Sequence, residues 1–118
     1  MDLNRERTKE SYFEKLGVQA KGTQKNVRLA IEKFETFVES KFERSLNGII
    51  TELAAMENTK RDSALFDLLQ DHANFMNLSS IAPTTIRSHF SVLKNYLTYR
   101  GLKIHQEEIR QNQIFSKT

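Results

Sequence analysis

The chain has 118 residues, with 18 Lys and Arg against 15 Asp and Glu for a net charge of +3, a length that fits one domain with a real core but not two. It contains no cysteine, which excludes a disulfide framework or a thiolate metal site. No run approaches the ~20 apolar residues of a membrane span, so a soluble, cytoplasmic protein is expected.

One proline, four glycines and little alternating β-type patterning predict an all-α fold, a single-domain bundle of four to five helices. Charge is unevenly spread along it. Residues 1–71 hold 12 cations against 13 acids, a net of −1, whereas residues 72–118 hold 6 against 2, a net of +4.

In chain order, residues 2–16 predict an opening helix whose apolar content gathers at Tyr12, Phe13 and Leu16, with Gly17 as its stop. Gly22 then reads as a breaker and Thr23 as the N-cap of a second helix, TQKNVRLAIEKFETFVESKF. There Val27, Ile31, Phe34 and Val38 share a stripe about 60° wide, flanked by Ala30, Phe37 and Phe42. Its polar side changes sign, basic at Lys25 and Arg28, then acidic at Glu32, Glu35, Glu39 and Glu43. Cations at a helix start oppose the macrodipole. Together with the free N–H groups there they suit an anion, although ordinary surface variation gives the same pattern.

Residues 45–58 predict a shorter helix burying Ile49, Ile50, Leu53 and Met56, with Gly48 weakening its first turn. NTKRDS reads as a loop, and Asp62 or Ser63 as the cap of a helix reaching about Asn77 with Leu65, Leu68, Leu69, His72, Phe75 and Met76 inward. NLSSIA is the next turn, and Pro83 belongs in the first turn of the following helix.

That helix, within APTTIRSHFSVLKNYLTYRG, is the stretch around which the chain is organised. Ile86, Phe90, Leu93 and Leu97 fall within about 60° of one another, with His89, Val92 and Tyr96 on the flanks. The opposite arc carries Thr84, Arg87, Ser88, Ser91, Lys94, Asn95 and Thr98. From His72 to Gln106 there is no Asp or Glu, while Arg87, Lys94, Arg100 and Lys103 add four positive charges. A solvated helix face ordinarily mixes both signs; short donors among cations suit phosphate oxygens and base edges. Gly101 marks the stop, and residues 102–118 give a looser pattern of Leu102, Ile104, Ile109, Ile114 and Phe115.

Catalysis finds little support here. The three histidines, His72, His89 and His105, have no metal-ligand spacing, and no glycine falls in a phosphate-loop spacing. No catalytic residue, metal or cofactor is expected. Three helical readings remain open: a helix-turn-helix formed by residues 63–77 and 83–100, a basic docking face for an acidic protein partner, or two helix starts, near Thr23 and Thr84, that jointly grip a duplex.

Two motifs in order resemble the core-binding, SAM-like N-terminal domain of tyrosine recombinases, the phage integrase class. Thr23, Ile31, Phe34 and Phe37 stand in the places of that family's second helix, and Pro83, Thr85, Ile86, Arg87, Phe90, Leu93, Lys94, Tyr96, Leu97 and Gly101 in those of its last. The resemblance covers about residues 10–104; Ala82 stands where the family often has a capping Ser, and residues 45–62 are longer than its usual connection.

The resemblance implies a helical domain, residues 1–104, that forms half of a clamp on double-stranded DNA. Residues 105–118 would begin the linker to a separate catalytic domain, so that this chain is not itself an enzyme and is a fragment of one. Tyr12, Tyr96 and Tyr99 would be bundle residues rather than the nucleophile. DNA contacts would fall on Thr23, Lys25, Asn26 and Arg28, and on Thr84, Arg87, Ser88, Ser91 and Lys94. The isolated domain is expected to be a monomer, with other recombinase protomers as partners on DNA.

Overall fold

Thr8 starts the first helix in the computed structural model, which describes residues 7–102. Its hydroxyl accepts from the Ser11 N–H at 3.1 Å, while the Ser11 hydroxyl accepts from the Thr8 N–H at 2.9 Å. This reciprocal capping box satisfies two otherwise orphaned donors and sets the boundary of α1, Lys9–Lys15. The expected start at residue 2 lies outside the described residues. Gly17 does not supply the stop: Leu16 is the C-cap, and Leu16–Val18 tighten into a 3-10 turn around Gly17.

Helix α2 spans Lys21–Phe42, so Gly22 does not break it and Thr23 does not cap it. The cap position belongs to Ala20, which is extended at φ −61° and ψ 149°. The Gln24 side chain donates to the Gln19 carbonyl at 2.9 Å and fastens this entry without a capping hydroxyl. Helix α2 ends where Glu43 takes the left-handed conformation at φ 55°.

Ser45 caps α3, Leu46–Ala54, by accepting from the Gly48 N–H at 3.1 Å. This helix is shorter than expected. It buries Leu46, Ile50 and Leu53, while Ile49 and Met56 are only half-buried. Helix α4, Asn58–Leu78, begins earlier than expected, because NTKRDS is helical. Its N-cap is Glu57 rather than Asp62 or Ser63, and Arg61 donates to Asn58 Oδ1 at 2.7 Å across the first turn.

Helices α4 and α5, the latter spanning Pro83–Tyr99, end by the same device. Ser80 and Gly101 both adopt positive φ, at 66° and 102°. After α4, the Ile81 and Ser80 N–H groups donate to the Met76 and Asn77 carbonyls at 3.0 and 3.1 Å; after α5, Leu102 and Gly101 donate to Leu97 and Thr98 at 2.8 and 3.0 Å. Each is a Schellman motif, and the hydrophobic residue that follows packs back. Leu102 is accordingly fully buried.

Five α-helices and no strand are thus formed among the described residues, in one all-α bundle. Helix α2 makes its largest contact with α5, and α4 packs on α5 and α3. One core joins Ile31, Phe34 and Val38 of α2, Leu65 and Leu69 of α4, and Leu93, Tyr96 and Leu97 of α5. Helix α1 closes it through Tyr12, whose ring lies 5.2 Å from Tyr96 and 5.1 Å from Tyr99. Two expected core residues lie elsewhere: Phe42 and Phe75 are exposed, Phe75 by 51 %. No described helix is long and apolar enough to cross a membrane.

Candidate nucleic-acid interface

The burial of one stripe of α2 decides what its first two turns show to solvent. Val27, Ala30, Ile31, Phe34, Phe37 and Val38 face the core, so positions about 150° away face outward. Lys21, Lys25 and Arg28 occupy that outer line at i, i+4 and i+7 spacing, and all three are exposed. They line a shallow depression of about 530 Å³ with Gln24, Leu29 and Glu32. The Arg28 guanidinium sits 4.4 Å from the centre of the Phe13 ring, so α1 holds one of these cations in place.

The four residues expected to act together on α2 therefore do not form one face. Lys25 and Arg28 share a line with Lys21, whereas Thr23 lies about 160° around the helix from Lys25 and Asn26 about 100°. Thr23 and Asn26 are nevertheless exposed, because they precede the packed part of the helix.

On α5 the expected set does lie on one side. Ile86, His89, Phe90, Leu93, Tyr96 and Leu97 are buried. Thr84, Arg87, Ser88 and Ser91 are exposed and Lys94 half-buried, within an arc of about 120° opposite the core. Pro83 occupies the first turn, where its missing N–H costs nothing. Ala82 provides no side-chain cap, and no acid lies in the first turn. The free N–H groups at this start therefore meet neither a capping oxygen nor a carboxylate from their own first turn.

The two basic faces stand on helices that pack directly on one another, α2 and α5. One acid of α2 is neutralised from α1, where Lys9 pairs with Glu35 at 3.1 Å, while Lys41 of α2 pairs with Asp71 of α4 at 3.4 Å.

Two clusters escaped the sequence reading. Between α2 and α4 lies a groove of about 870 Å³ floored by Phe37, Phe75, Met76, Leu78 and Ile81. The only sequence signal for it is the breadth of the apolar face of α4, which placed Phe75 inward. At the C-terminal end of α5, Arg7, Lys15 and Arg100 lie 5.2, 5.4 and 5.6 Å from the ring centres of Tyr99, Tyr99 and Tyr96. Arg100 also donates to the Tyr96 hydroxyl at 2.5 Å. Burial pushes the Tyr96 phenol up from its ordinary value, against the nearby Arg100 charge, and burial does the same to Tyr12.

No family model, curated protein or solved structure matches this chain.

Proposed function

We propose that this domain binds double-stranded DNA, through α5 and the basic line of α2, as the core-binding part of an integrase-like tyrosine recombinase. The observation that carries the reading is the outer face of α5, where Thr84, Arg87, Ser88, Ser91 and Lys94 lie opposite the core in a stretch without a carboxylate. Cations supply phosphate attraction and hydroxyls supply register, the division of labour that positions a protein on a duplex. Lys21, Lys25 and Arg28 add a second point of grip, with Thr23 and Asn26 at its edge.

In this reading the domain performs no chemistry. It holds one side of the duplex while a catalytic domain, joined through the segment after Leu102, cuts and rejoins strands. The assignment to a recombinase rests on the order and spacing of the two resembling motifs. Four or five cations give weak non-specific binding, with Kd of roughly 10⁻⁴ to 10⁻⁶ M at physiological salt. The cytoplasm is the compartment this activity requires.

A second DNA reading is favoured by the connection between α4 and α5, only four residues from Ser79 to Ala82, which is the length of a helix-turn-helix junction. Fluorescence anisotropy with a labelled duplex separates the two. A clamp loses affinity both in Arg87→Ala with Lys94→Ala and in Lys25→Ala with Arg28→Ala; a helix-turn-helix loses it only in the first pair. Unchanged affinity in both pairs removes DNA as the partner and leaves an acidic protein.

A further inference from the structure

The buried polar side chains among the described residues are two histidines, one on each of the helices that pack around α2. His72 of α4 is 2 % exposed. Its ring lies 5.0 Å from Phe34 and 4.9 Å from Phe37, both on α2, and neither ring nitrogen has a hydrogen-bond partner. His89 of α5 is 7 % exposed, and its Nδ1 also lacks a partner.

The charges around this junction come from all three helices. Helix α2 contributes Glu32, Lys33 and Lys41, α4 contributes Asp71, and His89 of α5 acts electrostatically on His72. Lys41 and Asp71 occupy one another in a pair exposed by roughly two-fifths. Of the remaining groups, Lys33 acts on both imidazoles and opposes a proton on either. A protonated ring here would be a charge caged by phenylalanines, without an acceptor and beside a cation.

We propose that His72 and His89 form an acid-sensitive fastening, which holds α4 and α5 on α2 most tightly while both rings are neutral and is weakened by mild acidification. The direction follows from linkage. Burial first, then the charges of His89 and Lys33, lower His72 from 6.5 to about 4; burial first, then Lys33, lowers His89 as well. The unfolded chain therefore takes up protons before the folded one. The contribution of these histidines to stability is whole above the unfolded value of about 6.5 and is lost as pH falls towards the folded value. His72 alone raises the unfolding equilibrium constant ~30-fold between about pH 7.5 and about pH 5, and His89 adds to it. Because α5 is one of the helices so fastened, the fraction of molecules that present its outward face falls with the same linkage. The fastening does not depend on what that face binds.

Urea unfolding at about pH 7.5 and pH 5, where most carboxylates are still ionised, tests this on the full chain. The unfolding constant of the wild type should rise at least ~30-fold, and His72→Leu should remove about that factor from the rise. NMR titration of the histidine Cε1–H signals of the folded wild type supplies an independent reading, in which His72 keeps its neutral shift to below about pH 5. A wild-type change under ~3-fold, an equal change in His72→Leu, or a His72 midpoint near 6.5 would overturn the proposal. Should His72→Leu fail to fold, the wild-type titration decides alone.

Discussion

Ser80 shows how a single residue can be at odds with the motif that holds it. It adopts φ 66° to close the Schellman motif after α4, a conformation that costs a residue with a Cβ but not glycine. Ser80→Gly should therefore stabilise the domain by about 0.5–1 kcal/mol, visible as a higher urea midpoint; a lower midpoint would mean that the side chain has a partner worth more than the strain. Phe34 makes the opposite case. It is fully buried and touches the His72 ring, so Phe34→Ala should cost ~3 to 5 kcal/mol through lost burial and a cavity. A loss below ~1 kcal/mol in the same assay would contradict its place at the centre of the core. At this scale the sequence was readable where a side chain has one dominant preference. Phe34, Ile86 and Leu97 are buried as their spacing demanded, and Gly101 takes positive φ as its position demanded. Thr23 was misread because a good capping side chain does not cap when Ala20, three residues earlier, already holds the extended conformation.

Among the elements, the helices expected from strong apolar periodicity are present, and the errors lie at their ends. Residues 58–63 read as a loop because they contain no apolar residue, yet they form the first turns of α4, where Arg61 donates to Asn58 and the largely covered Arg61 and Asp62 side chains lie 3.8 Å apart. Helix α3 ends at Ala54 because Glu57 must already be extended to start α4, a constraint of connection that local propensity does not contain. The starts of α2 and α5 are both uncapped, at Ala20 and Ala82. Ala82→Ser should supply the missing acceptor and stabilise the fold by ~0.5–2 kcal/mol. If α5's start is also a phosphate contact, that same hydroxyl competes for the N–H groups a phosphate would use. The variant should then bind a duplex more weakly although it is more stable. Unchanged binding would argue that the start of α5 stands away from the DNA.

Across the whole molecule, the bundle packs α2 and α5, the helices that carry the two basic faces, against each other. Most of the outward face of α5 was legible because it lies on one helix, where 100° per residue suffices to sort positions. The α2 set was only half legible. Lys25 and Arg28 face together with Lys21, whereas Thr23 and Asn26, expected from the resemblance, lie elsewhere around the helix. Of the groove between α2 and α4 and of the histidine junction, only single members such as the inward His72 were legible, since both sites depend on which helices meet. The central claim is that the outer line of α2 and the outer arc of α5 contact one duplex. An NMR titration of the labelled protein with a short duplex, at low and then at high salt, tests it most directly. Amides from Lys21 to Arg28 and from Thr84 to Lys94 should shift together, and affinity should fall on a log–log plot with a slope of about −0.9 per phosphate neutralised. Shifts confined to α5 would reduce the interface to one helix, and no shift at millimolar duplex would contradict DNA binding itself.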